Sequence, residues 1–192
     1  MLTRAVILGG ASCVWDDLAA LEEILGRPWN GLVVAINDAL PGCVGRVPRV
    51  DHFVTQHHEK ITAWKEVRRQ AGGNMDFVTW GCIWLTTSSC PGAELTDAVV
   101  VPWGSGSSGF HAVTVCELIG VPRVLCGVPL TNTEHFSGAL MADTGAWLYG
   151  ERHREPWVHR AERYREGTRS MSGWTAEFLG MPDREWLGLD TP

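Results

Sequence analysis

Ala5-Val-Ile-Leu-Gly-Gly10 and, one helix-length further on, Leu32-Val-Val-Ala-Ile-Asn-Asp38 decide how this chain folds. Each opens as a short unbroken apolar run, the pattern of a strand covered on both faces rather than one. Between them Trp15, Leu18, Leu21 and Leu25 recur at helical spacing, with Ser12 placed to cap the start and Gly26 to stop the end. Strand, helix, strand in this order is a βαβ unit, whose two strands lie parallel.

Outward from that unit the same alternation continues. A Pro- and Gly-bearing connection from Pro41 to Pro48 leads to a third strand over Asp51–Thr55, then to Gln56, His57 and His58. Ile61–Gln70 reads as a helix stopped by Gly72 and Gly73, and Asn74–Thr79 and Ala98–Val101 as two further strands. Trp103-Gly-Ser-Gly-Ser-Ser-Gly109 then runs without a break into the apolar helix Phe110–Ile119 and the strand Arg123–Gly127. Val128–Gly138 reads as a loop, Ala139–Gly150 as a short helix or turn, and Glu155–Glu166 as a charged helix. Ser170–Leu187 carries Trp174, Phe178, Leu179, Trp186 and Leu187, enough apolar surface to dock on the body. The pattern predicts a single-domain α/β fold with a doubly wound, mostly parallel sheet over residues 1–150, and a docked helical C-terminal extension over 151–192.

The 192 residues suffice for one sizeable core, and 45% apolar content excludes a disordered chain. A net charge of −6 with no cluster of Lys and Arg argues against duplex nucleic acid as a partner. The first ten residues hold an apolar run too short for a signal-peptide core, and nowhere do eighteen apolar residues follow one another, so a cytoplasmic protein is expected. The six cysteines form no Cys-x-x-Cys pair and read as reduced and mostly structural. Most of the ten tryptophans read as packing residues, with Trp80 and Trp103 best placed to stack on a base or sugar.

In open parallel sheets ligands bind beyond the carboxyl ends of the strands. That rule gathers Gly9, Gly10 and Ser12 after the first strand, Asn37 and Asp38 after the second, and Gln56, His57 and His58 after the third. Ser105, Ser107, Ser108 and Gly109 join them before the apolar helix, whose N-terminus suits a phosphate. His57 and His58 are candidate acid/base residues, and His135 in the last loop has the same claim. Gly9-Gly-Ala-Ser12 lacks the third glycine of Gly-x-Gly-x-x-Gly, which argues against NAD. Asn37-Asp38 could equally be an Asx turn, and Asp16 and Asp17 read as favourable charges on a helix N-terminus. No metal motif is present, although Mg²⁺ carried by ligand phosphates would leave none.

Taken together, the Gly-Gly-x-Ser turn, Ala35-Ile-Asn-Asp38, Ser108-Gly-Phe-x-Ala112, Cys126-Gly127 and His135 resemble phage-borne Rossmann-like proteins related to bacterial sialyltransferases and to the archaeal 6-hydroxymethylpterin diphosphokinase-like group. Arg169-Ser-Met-Ser-Gly-Trp-Thr175 and Leu179-Gly-Met-Pro182 resemble the ends of such phage proteins. The resemblance implies a cytidine nucleotide-sugar on Gly10, Ser12, Asn37, Ser107, Ser108 and Gly109, with a histidine, His135, as base, in the cytoplasm of a bacterial host. A diphosphokinase relative implies Mg²⁺, for which Asp38 is the well-placed carboxylate. Three readings follow: a small glycosyltransferase-like enzyme, a nucleotide-binding or sequestering protein, and an assembly protein whose Trp-rich tail makes a homo-oligomer.

Overall fold

The computed structural model describes residues 4–83, 98–102, 107–136 and 150–190. Its elements run β1 (Ala5–Leu8), α1 (Val14–Leu25), β2 (Leu32–Ile36), α2 (Ala39–Gly42), β3 (His52–Val54), α3 (Ile61–Gln70), β4 (Val78–Ile83), β5 (Ala98–Pro102), α4 (Ser108–Leu118), β6 (Arg123–Cys126), α5 (Glu155–His159), α6 (Ala161–Arg165), β7 (Thr168–Ser170) and α7 (Gly173–Leu179). The described strands form one sheet in the order β5-β4-β3-β2-β1-β6-β7, and every pairing is parallel. This is a doubly wound α/β sheet of Rossmann-like type. Strand order reverses between β1 and β6, and Leu8 stands opposite both Ala35 and Cys126, so the residues after β1, β2 and β6 share one edge.

The apolar runs are continuous because both faces of the sheet are covered. Val6, Leu8, Val33, Ala35, Phe53, Val124 and Cys126 join one core with residues of α1, α2 and α3. Ala5, Ile7, Val34, Ile36, Val54 and Leu125 alternate with them and join a second core with α4, Trp157 of α5, Tyr164 of α6 and Leu179 of α7. With apolar side chains all round, α4 is buried along most of its length.

Four local expectations change. α1 begins at Val14 with Cys13 at the cap position and no side-chain cap, so Ser12 is not its N-cap. β4 begins at Val78 rather than Asn74, because Asn74 is occupied elsewhere: its carbonyl accepts from Arg68 Nε at 2.8 Å and its Oδ1 from Val50 N at 3.3 Å. The charged helix divides into α5 and α6 at Arg160, whose φ of −123° is not helical. The extension after residue 150 is not purely helical, since it supplies β7 to the sheet beside β6.

Thr168-Arg-Ser170 carries no apolar strand pattern, so β7 went unseen in the sequence. One of its two hydroxyls is satisfied, since Ser170 Oγ lies 2.8 Å from Thr175 Oγ1, which donates to Val128 O at 2.7 Å, whereas Thr168 Oγ1 is buried without a hydrogen-bond partner. Gly26 ends α1 in the left-handed region at φ 67°, as its position predicts. Burial pushes the Cys43 and Cys116 thiols up to about 12, which makes them poor nucleophiles. No helix among the described residues is long and apolar enough to cross a membrane.

Candidate functional site

The turn after β1 is tied down by its own backbone. Gly9 N donates to Cys126 O at 2.8 Å, Ala11 N to Gly127 O at 3.2 Å and Ser12 N to Glu134 O at 2.8 Å. These three amides therefore serve the protein rather than an anion. The glycines permit close approach: a Cβ on Gly9 would lie 2.2 Å from Gly127 O, and one on Gly10 2.6 Å from His135 Nε2.

Asp17 works on the same edge. It is buried, and its Oδ2 accepts from Gly127 N at 2.8 Å and from Ser172 Oγ at 2.7 Å, so it clamps β6 and the start of α7 to α1. A favourable charge on the helix N-terminus is not its main role. The signal was readable, since Asp17 falls on the inward stripe with Val14, Leu18 and Leu21 while Asp16 does not.

Ser107 is the N-cap of α4, where its Oγ accepts from Phe110 N at 3.4 Å. Helix geometry leaves the amides of Ser108 and Gly109 without intrahelical partners, and the helix dipole adds positive potential there. The helix start sits beside the first turn, because Cβ positions on Gly109 and Gly9 both meet the side chain of Val128, at 2.7 and 2.6 Å. Ser105 and Trp103 lie outside the described residues.

Asn37 takes a left-handed conformation at φ 52°, which turns the chain sharply out of β2. Its Oδ1 accepts from Thr55 Oγ1 at 2.8 Å, and Thr55 Oγ1 accepts from His57 N at 2.9 Å. Gln56 Nε2 in turn donates to Ser107 O at 3.3 Å. This chain of contacts links the ends of β2 and β3 to the start of α4. Thr55 was not singled out in the sequence, where nothing marks a strand-end threonine as a linker.

Asp38 and His135 meet across the edge. His135 Nε2 lies 3.1 Å from Asp38 Oδ2, and the side chains are only 12% and 3% exposed. The contact is electrostatic rather than an aligned hydrogen bond, since Oδ2 has no hydrogen-bond donor in line with it. Three features hold the imidazole: the backbone bridge between Ala11 and His135, the bond from Phe136 N to Gly10 O at 3.0 Å, and the Phe136 ring at 4.8 Å and 30°. Trp15 supports Phe136 edge-on at 5.8 Å. Ser12 Oγ stands 3.3 Å from Thr133 Oγ1 on the same loop.

The remaining candidates lie elsewhere. His57 is half exposed and pairs with Glu59 at 3.3 Å. The Trp80 indole donates to His52 Nδ1 at 3.1 Å, so its polar edge is occupied by protein. His111 of α4 is buried, and burial pushes its imidazole below the usual range, against a smaller opposing effect of the Gly81 backbone. Among the described residues no group of three or more His, Cys, Asp or Glu side chains forms a metal-ligand set.

The fold and this edge define a doubly wound α/β protein with a helix start and an imidazole–carboxylate pair at its topological switch point. No protein-family model matches the chain, and no curated protein matches it in sequence.

Proposed function

We propose that this protein binds a nucleotide or nucleotide-sugar at the carboxyl edge of the sheet and acts as a small transferase of the glycosyltransferase type. The observation that carries the reading is the convergence, at the β1–β6 reversal, of the α4 N-terminus with the His135–Asp38 pair. The amides of Ser108 and Gly109 and the hydroxyls of Ser107 and Ser108 suit the phosphate groups, with Ser105 and Ser12 adding hydroxyls and the Asn37 amide a base or ribose contact. The leaving phosphate gains charge as the transferred group departs, and donors at a helix start stabilise that charge. His135 takes the proton of the acceptor hydroxyl. Any Mg²⁺ arrives on the ligand phosphates. The resemblance to sialyltransferase-related phage proteins supports cytidine as the first base to try.

Thermal-shift titration with cytidine and uridine nucleotides tests binding. A ligand at one hundred times its Kd stabilises by about 2.7 kcal/mol. Transfer from a radiolabelled cytidine sugar to a hydroxyl acceptor tests turnover, and His135→Ala is expected to abolish it. Absence of any shift with every nucleotide overturns the reading, and full activity in His135→Ala removes the base.

A further inference from the structure

We infer that Arg154 is a positioning residue: through the Leu130 carbonyl it fixes the course of the loop that leaves β6 and carries Thr133 and His135. The inference deepens the transferase reading and rests on it for the identity of the reaction, though not for the order of the loop. It also makes the C-terminal extension part of the frame of the site rather than a docked tail.

Three successive carbonyls at the start of this loop accept from the extension: Val128 O from the Thr175 hydroxyl at 2.7 Å, Pro129 O from the Thr175 amide at 3.3 Å, and Leu130 O from the Arg154 Nε–H at 2.9 Å. At its far end the loop is held by the first turn instead, where Ser12 N donates to Glu134 O and Phe136 N to Gly10 O. The loop start packs on both halves of the site, because the Val128 side chain meets the Cβ positions of Gly9 and Gly109. A shift at residues 128–130 would therefore reach the helix start and the His135 end together.

Leu130 is where the direction of the loop is set. It takes a φ of 47°, a left-handed conformation that a residue with a Cβ adopts only where its surroundings hold it. Burial in the core shared with α4 holds its side chain. The hydrogen bond on its carbonyl holds the next peptide plane, and with it the line along which Thr131 sets out. Arg154 is itself oriented for that bond. Its guanidinium lies over the Trp174 ring at 5.2 Å, Trp174 stacks on Phe178 at 4.7 Å and 10°, and Glu151 Oε1 stands 3.5 Å from Nη2. A planar fork held on one face by a ring and at its tip by a carboxylate keeps Nε–H on the carbonyl.

Arg154→Met keeps an apolar stem against Trp174 and removes the donor. Hydrogen exchange of the nucleotide-free protein, followed by mass spectrometry, reads the loop in a peptide spanning residues 131–136, with β1 and β6 as internal references. In Arg154→Met, exchange in that peptide is expected to rise about tenfold or more while β1 and β6 exchange as in the native protein. Unchanged loop exchange overturns the inference, and so does an equal rise in the strands, which would make Arg154 a part of the general fold only. Arg165→Met relaxes the far side of the same stack, where Arg165 lies 4.7 Å from the Phe178 ring, and is expected to leave the loop as it is. An effect equal to that of Arg154→Met would overturn the inference as well. Should Arg154→Met fail to fold, Arg154→Lys carries the comparison: its nitrogen falls one bond beyond Nε, so the bond to Leu130 is displaced, and a loop as protected as the native one overturns the inference. In the transfer assay Arg154→Met is expected to lower kcat by about 10- to 100-fold with KM for the nucleotide donor unchanged within about threefold. A roughly tenfold rise in donor KM with kcat and loop exchange retained would make Arg154 a phosphate contact and overturn the inference too. Should no nucleotide bind or turn over, the transferase reading falls, and the exchange measurement still decides the role of Arg154.

Discussion

Gly9-Gly-Ala-Ser12 and Ser107-Ser-Gly109 are nearly alike in composition and lie at the same edge of the sheet, yet their backbones do different work. In the first, amides end on the carbonyls of Cys126, Gly127 and Glu134, and the glycines exist so that strands and side chains can touch. In the second, a serine cap opens an eleven-residue helix whose leading amides have no partner within it. Glycine and serine content alone does not mark an anion cradle. What marks it is where each N–H points, and that depends on the neighbouring strand.

Asp17→Ala is the strongest challenge to the clamp at the first turn, because it strands Gly127 N and leaves Ser172 Oγ only the Cys13 thiol at 3.3 Å. A loss of about 3 kcal/mol is expected in urea unfolding; a loss below about 1 kcal/mol would mean the clamp is not needed. Gly9→Ala comes next, since its methyl would meet the Gly127 carbonyl oxygen, a backbone atom, at 2.2 Å. About 2 to 3 kcal/mol is the expected cost, with Gly109→Ala costing less because it meets the Val128 side chain instead. Equal costs at the two glycines would erase the distinction between the turns.

Ser107→Ala should remove about 1 kcal/mol through the lost cap, and it should weaken nucleotide binding more than any substitution at Ala11. Should Ala11→Gly change affinity as much, the anion would not sit at α4. The smallest effect expected is that of pH. Burial holds His111 below the ordinary imidazole value, so the unfolded chain binds its proton first. Stability from this residue is complete above about pH 6.5 and declines as pH falls from there toward the lowered folded value. His52 and His153, also lowered by burial, act with the same sign. Urea midpoints at about pH 7.5 and 5 check the slope, and His111→Leu should flatten it; a midpoint that rises on acidification would contradict the assignment.

Much of the fold was legible because its evidence is local. Ala5–Leu8 and Leu32–Ile36 read as strands covered on both sides, and the spacing of apolar residues between them set α1, with Gly26 as its stop. Ile61–Gln70 ended where Gly72 and Gly73 predict. β7 was missed because three polar residues carry no period, and its place comes from pairing with β6 and from hydroxyl partners in α7. Asp17 was legible in principle from its place on the buried stripe, but its partners were not.

The sequence by itself determined most of the strands and helices, though not β7 or the break at Arg160, that the sheet is mostly parallel, and which residue types stand at strand ends. Those follow from hydrophobic period and chain-local turn chemistry, which need no knowledge of distant neighbours. Only the tertiary structure decided that Asp38 faces His135, that Gly10 makes room for the imidazole, and that Thr55 and Gln56 join β2 and β3 to α4. Those contacts depend on strand order and register, in which β1 lies between β2 and β6, and no periodicity along the chain encodes that adjacency.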